Sequence, residues 1–216
     1  MNLSILMKYH MFYLIGVKNT ILLAVFSVTF GLIIGIILSL MKISNNKFLN
    51  AISTAYIEFF RGTPLLVQVY IIFYGLPIDL PKFTAGILAL SLNSGAYVSE
   101  IFRSGIQAID KGQMEAARSL GMSYKMAMRY IIIPQAIKNV LPALGNEFIV
   151  VIKESAIVSV IGIHELMYNA QTVRGNTYSP FLPLFFAALI YLFMTSILSK
   201  LMSRLERRLR AGDKGI

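Results

Sequence analysis

Cysteine is absent from all 216 residues, which excludes a disulfide framework, a thiolate-held zinc ion and a cysteine nucleophile. Histidine is nearly absent: His10 and His164 are not paired at ligand spacing, so no metal site is expected. No G-x-x-x-x-G-K-[ST] phosphate loop occurs, and the glycines sit in apolar runs or turns, so the chain offers no nucleotide cradle of its own. Charge is scarce, 14% of residues against 56% hydrophobic ones, and acidic groups number ten against twenty basic ones. That apolar share exceeds the roughly 45 to 50% of a soluble domain. Its distribution decides the class, because uncharged runs close to the roughly 20 residues that cross a ~30 Å hydrocarbon layer recur along the chain.

Five spans are read, at Thr20–Met41, Ala55–Leu76, Phe83–Phe102, Val140–Ile163 and Phe181–Ser199, giving an all-α integral membrane protein with a single transmembrane domain over residues 1–216 and a core at 16–204. The first carries Gly31 and Gly35 at the spacing that lets two membrane helices approach closely. The second has Gly62, Thr63 and Pro64 near its start, which predicts a kink or break there. No basic patch precedes the first span and Leu40, Met41 and Lys42 follow it rather than a cleavage site, so no cleaved signal peptide is expected.

The basic residues set the orientation. Lys42, Lys47, Arg61, Arg103, Lys111, Arg118, Lys125, Arg129, Lys138, Lys200, Arg204, Arg207, Arg208, Arg210 and Lys214 fall on one side, fifteen against the four of Lys8, Lys18, Lys82 and Arg174, with Lys153 inside a span. Positive loops stay in the cytoplasm, so the N-terminus is expected outside and the C-terminus inside, in a cell (inner) membrane. The net charge of +10 then reads as a topology anchor against anionic headgroups, not as a nucleic-acid face.

The cytoplasmic segment Arg103–Lys138 is long enough for structure of its own. Met114–Leu120 is rich in helix formers and ends at Gly121, suited to a left-handed cap. Ser123 can cap a second helix through Tyr124–Ile133 that stops near Pro134. Glu115, Ala116, Ala117, then Gly121, Ile131, Ile133 and Pro134 resemble the EAA loop of ABC importer permeases (E-A-A, three residues, G, nine residues, I, one residue, L-P), with Ile133 in place of the Leu. The runs Glu58–Gln68 and Ala96–Ile109 are similar to the corresponding segments of permeases for polar amino acids, and the likeness covers most of the chain from Asn19 to Arg204.

This resemblance implies a type I importer transmembrane domain whose Glu115 helix docks in a groove of a separate ATPase. Small Ala116 and Ala117 would permit close approach, and Gly121 would supply the turn. It further implies two ATPase subunits that bind ATP and Mg, a second permease chain, with a homodimer expected, and an extracytoplasmic amino-acid-binding protein. The chain itself would be no enzyme and hold no cofactor.

Glu147, Lys153 and Glu154 lie in the fourth span, where an unpaired charge costs about 2.5 to 3.5 kcal/mol. Seven residues separate the two carboxylates, so they differ by only about 20° in direction and lie roughly 10 Å apart along a helix. One reading has Glu147 and Glu154 line the translocation cavity and pair with a cationic substrate, with Asn93 and Ser94 adding neutral hydrogen bonds. That would favour arginine, lysine or histidine over glutamine or glutamate. The other has them neutralised inside the bundle by Lys153, Arg61 or Arg103. Lys153, about 100° from Glu154, would serve a neighbouring helix, and Glu58 and Glu100 are expected to pair with Arg61 or Arg103 as gate or packing elements. A secondary transporter or channel would need coupling-ion ligands or an internal repeat, and no repeat is evident.

Overall fold

Helices occupy each of the five apolar segments in a computed structural model that describes residues 4–77 and 79–211. Lys214 and the N-terminal Met1–Leu3 lie outside the described residues. Helix α1 (Ser4–Ile43) starts far ahead of the expected span. Its 40 residues reach about 60 Å at 1.5 Å per residue, and the backbone leaves helical geometry at Tyr9 (φ −111°, ψ 16°). Among the described residues, α1 and the last helix, α9 (Leu182–Ala211), are the two long and apolar enough to cross a bilayer by length and composition alone.

The second segment is broken where Pro64 predicts. Helix α2 (Lys47–Gly62) begins at Asn46, whose Oδ1 accepts from the backbone N–H of Phe48 and Leu49. Helix α3 (Leu65–Gly75) starts after extended Thr63 and Pro64. Gln68 closes the break: its Nε2 donates to the Phe60 and Thr63 carbonyls at 2.8 and 3.0 Å and to Thr63 Oγ1 at 2.9 Å. Carbonyls orphaned by the missing turn thus find a donor without water.

Helix α4 (Lys82–Gln107) is the most enclosed, and it packs most extensively on α1. Glycines set their distance. A Cβ added at Gly95 would stand 2.7 Å from Ile34 Cγ2, one at Gly31 would stand 3.1 Å from Ser94 Cβ, and one at Gly35 would collide with Val98. The close approach expected of Gly31 and Gly35 is therefore directed at α4.

Two short helices follow, α5 (Lys111–Ser119) and α6 (Tyr124–Ala127). Pro134 does not end the second one. A π turn at Met128–Ile132 joins α6 to α7 (Ile133–Glu154) without a break, and Pro134, the second residue of α7, follows directly on that widened turn. The fourth span is also not one α-helix: after Glu154 the chain tightens into a 3₁₀ stretch, Ser155–Ile161, and turns at left-handed Gly162 (φ +77°).

A helix that the hydropathy pattern does not reveal, α8 (Leu166–Thr177), lies between the fourth and fifth apolar segments against the N-terminal half of α1. Leu166 N–H donates to Thr20 Oγ1, and a Cβ at Gly16 would stand 2.7 Å from Leu166 Cα.

The α1–α4 contact predicts a contrast between glycines. Gly35→Val overpacks the seam and should lower stability by about 1 to 3 kcal/mol. Gly62→Ala, with nothing within 4 Å of the added carbon, should change it by less than about 1 kcal/mol. Heat unfolding of the detergent-purified protein, followed by circular dichroism, measures both.

Candidate functional site

The centre of the site is a hydrogen bond between α4 and α7. Ser94 Oγ donates to Glu147 Oε1 at 2.7 Å, with Ser94 1% and Glu147 7% exposed. Two of the expected substrate residues are thus brought together, and they face each other inside one chain. Glu147 is thus buried against α4 within this chain. Asn93, beside Ser94, is also buried. Glu154, at the last turn of α7, is half-buried and close enough to Glu147 for their charges to interact.

No ion pair joins Glu147 or Glu154 to Lys153, Arg61 or Arg103 within 4 Å among the described residues. Internal neutralisation by Arg61 or Arg103 fails because both guanidinium groups are committed elsewhere. Lys153 is exposed on α7 and acts on Glu154 only through the field of its charge.

Those guanidinium groups converge on Glu100. Arg103 Nη2 meets Glu100 Oε2 at 2.6 Å and its Nε donates to both carboxylate oxygens, Lys42 Nζ stands 3.1 Å from Oε1, and Arg61 Nη1 stands 3.8 Å from Oε2. Arg61 also lies over the Tyr97 ring, 5.4 Å from its centroid, in cation–π geometry. One carboxylate therefore ties the ends of α1, α2 and α4. The pairing expected of Glu100 is present, with Lys42 as an added partner. Glu58 is different: it is exposed on α2 and makes no ion pair among the described residues, because Arg61 turns toward Tyr97 and Glu100.

The motif-bearing loop is built as its residues suggest, with one change of face. Asp110 caps α5, accepting from Gly112 N–H at 2.6 Å. At the other end Met122 N–H reaches the Ala117 carbonyl and Gly121 N–H that of Arg118, both at 3.1 Å, which is a Schellman closure. Gly121 has φ +85° and open space around it, so its conformation, not crowding, requires glycine there. Ser123 caps α6 through Met126 N–H. Glu115 and Ala116 are exposed, whereas Ala117 is 1% exposed and turned inward. Ala117 therefore gives no surface to a partner; its small size lets α5 sit against its own hairpin. Leu120, 84% exposed, is the large apolar residue beside the motif.

Sequence patterning misses a buried polar cluster at the start of α8. Glu165, fully buried, caps α8 by accepting from Met167 N–H at 2.8 Å and Tyr168 N–H at 2.6 Å, and Tyr191 of α9 donates to its Oε2 at 2.8 Å. Beyond the end of the fourth apolar segment, burial pushes this carboxyl up to about 7 in spite of the three donors that favour its charged form. The available signal was Glu165 directly before the helix formers Leu166–Gln171. His164 stacks on Tyr168 with centroids 4.4 Å apart. Among the described residues no group of three His, Asp or Glu could hold a metal ion.

The family model described as the binding-protein-dependent transport system inner membrane component matches residues 28–211. The chain is 46% identical over 206 residues to the arginine transport system permease protein ArtQ of Bacillus subtilis (strain 168), an alignment that covers 94% of each. It is 44% identical over 203 residues to the putative glutamine transport system permease protein GlnP of Rickettsia bellii (strain RML369-C), covering 92% of this chain and 93% of that one. A chain of the crystal structure of an amino acid ABC transporter with histidines superimposes with a TM-score of 0.93 at 52% identity, covering 96% of this chain and 99% of that one.

The Ser94–Glu147 bond predicts an asymmetry between the carboxylates. Ser94→Ala strands a buried carboxyl and should lower stability by about 1 to 3 kcal/mol. Glu154→Gln, which removes a half-buried group with no hydrogen-bond partner, should change it by less than about 1 kcal/mol. Unfolding midpoints in detergent distinguish the two.

Proposed function

We propose, for a chain that belongs to the binding-protein-dependent transport system inner membrane component family, that it is the pore-forming subunit of an ATP-driven importer of basic amino acids: arginine, lysine or histidine. It is a permease of an amino-acid ABC importer, and relatives of that kind are named for arginine and for glutamine. The observation that carries the basic choice is the pair Glu147 and Glu154, which lies in an apolar segment with no cation of the described residues within 4 Å of either carboxylate. A cationic side chain entering from one side would meet Glu154 first. Glu147 is held in place behind it by Ser94.

The working assembly is a pore of two such chains, a homodimer, with two ATPase subunits on the cytoplasmic side and an extracytoplasmic binding protein that delivers substrate. ATP and Mg belong to the ATPase, since this chain has no phosphate loop. Five crossings place the N-terminus outside and the C-terminus in the cytoplasm, in keeping with the excess of basic residues on the side of α5 and α6. Helix α5 offers exposed Glu115 to a charge-assisted hydrogen bond from the ATPase and exposed Leu120 to an apolar pocket. Closure of the ATPase pair on ATP would draw the two α5 helices together and open the path outward, and hydrolysis would reverse it. Substrate shifts this two-state equilibrium only by its differential affinity for the two states. The Glu100 cluster ties the cytoplasmic ends of α1, α2 and α4 so that they move as one body.

Two measurements test the reading. Reconstituted with its ATPase in proteoliposomes, the complex should show ATPase activity stimulated by arginine more than by glutamine, and Glu147→Gln or Glu154→Gln should lower the arginine response at least tenfold. An equal response to both amino acids, unchanged in the two variants, removes the basis for basic specificity. Gly121→Asp cannot hold φ +85° without strain and should abolish co-purification of the ATPase; retained co-purification would separate α5 from coupling.

A further inference from the structure

Helices α1, α7 and α9 leave between them a groove of about 360 Å³ lined throughout by apolar side chains. Phe148 and Ile152 of α7 form its floor, and Ile21 of α1 with Phe193 and Ile197 of α9 form its rim. The three rim residues are exposed, whereas Ile152 is buried and Phe148 half-buried. The groove therefore opens away from the bundle. Two cations continue it along α9. Lys200 follows Phe193 by seven residues and Arg204 follows Ile197 by seven, so each lies within about 20° of its groove residue and roughly 10 Å further along the axis. Met202, between them, fixes the direction in which they point. A Cβ added at Gly145 of α7 would collide with the Met202 side chain, so Met202 faces α7. Lys200 and Arg204, two positions to either side, stand about 160° away from it. Both are exposed, and neither makes an ion pair within 4 Å among the described residues.

We propose that an anionic phospholipid binds here, with one acyl chain in the groove and its phosphate between Lys200 and Arg204. The dimensions fit one leaflet. Arg204 lies eleven residues beyond Phe193, about 16.5 Å of helix, against about 15 Å for half of a ~30 Å hydrocarbon layer. Helix α9 is uncharged from Leu182 to Ser199, so Lys200 stands where its apolar part ends. A long basic side chain at such a place lays its stem along hydrocarbon and lifts its charge to the headgroup layer. An apolar cleft open to the bilayer and a pair of unpaired cations stacked on one helix face call for an amphiphile of negative charge. A zwitterionic lipid would fill the groove but bring its own cation to Lys200 and Arg204. A second copy of this chain is opposed by charge, since it carries the same net +10. The diffuse attraction of a basic tail for an anionic surface needs no groove, whereas this site reads acyl chain and headgroup together. The lipid belongs to the leaflet at the C-terminal end of α9, which is cytoplasmic in the orientation proposed above. The site does not depend on which amino acid the complex carries.

Native mass spectrometry of the delipidated complex with its ATPase, titrated with phosphatidylglycerol or with phosphatidylcholine of identical tails, tests this. The unaltered complex should bind phosphatidylglycerol at least fivefold more tightly. Lys200→Gln combined with Arg204→Gln should bring the two lipids within twofold of each other. Lys47→Gln combined with Lys125→Gln, which removes the same charge from exposed positions on α2 and α6, should leave the preference intact. Ile197→Trp, which fills the groove and keeps both cations, should weaken phosphatidylglycerol at least threefold. Equal affinity for the two lipids on the unaltered complex overturns the proposal without any variant. So does a preference lost equally in both charge-removed complexes, which makes it an effect of net charge alone. Phosphatidylglycerol binding untouched by Ile197→Trp overturns it too, because the lipid then needs no groove, and so does displacement of the lipid by inorganic phosphate, which needs no tail. An Ile197→Trp complex that keeps its lipid but loses the two-chain assembly in size-exclusion chromatography would put a second copy in the groove instead. Should the Lys200 and Arg204 variant fail to assemble, the unaltered complex and Ile197→Trp still decide. Each outcome is read from binding, so failure here leaves the importer reading standing.

Discussion

Helix α4 lies so close to α1 that a single methyl group has no room at Gly31, Gly35 or Gly95. In a hydrocarbon solvent two apolar helices gain little from hiding surface, so association rests on close van der Waals packing and on the few polar contacts that packing brings into range. The α1–α4 seam supplies the packing. Asn93, Ser94 and Ser99 of α4 are buried, and Ser94 is held where Glu147 of α7 can accept its hydrogen bond. Pulling the seam apart would separate Ser94 from its partner and leave a carboxyl in an apolar interior.

The chain treats its intramembrane and membrane-edge charges in three ways. Glu100 is saturated by Lys42, Arg61 and Arg103 and locks helix ends together. Glu147 takes one neutral hydrogen bond and is held rigid. Lys153 and Glu154 have no ion-pair partner within 4 Å among the described residues.

Mechanical coupling would run through one nearly continuous stretch of chain. Helix α6, its π turn and α7 connect the hairpin that bears Glu115 directly to the turn that bears Lys153 and Glu154. The sequence suggests a stop at Pro134, yet the helical stretch runs on through it by way of the π turn at Met128–Ile132, so a push on the loop helices would be carried into α7. Beyond Glu154 the 3₁₀ stretch, capped α8 and the Glu165–Tyr191 bond anchor the outer end to α9.

The order of residues by itself determined the apolar segments, the break at Pro64, the left-handed turn at Gly121 and the family, because each depends on local rules: run length, backbone permission, a fixed motif spacing. It also determined that Glu147 and Glu154 share a face, since a helix fixes angles between its own residues. What it could not determine is which way that face turns. Glu147 meets Ser94, 53 residues away, Arg61 abandons nearby Glu58 for Glu100, Ala117 turns inward and Lys153 outward only because α1, α4 and α7 pack at particular rotations. Those rotations are set by side chains distant in sequence, and α8 was hidden for the same reason, its helix resting on α1 and Tyr191 more than on any apolar period of its own.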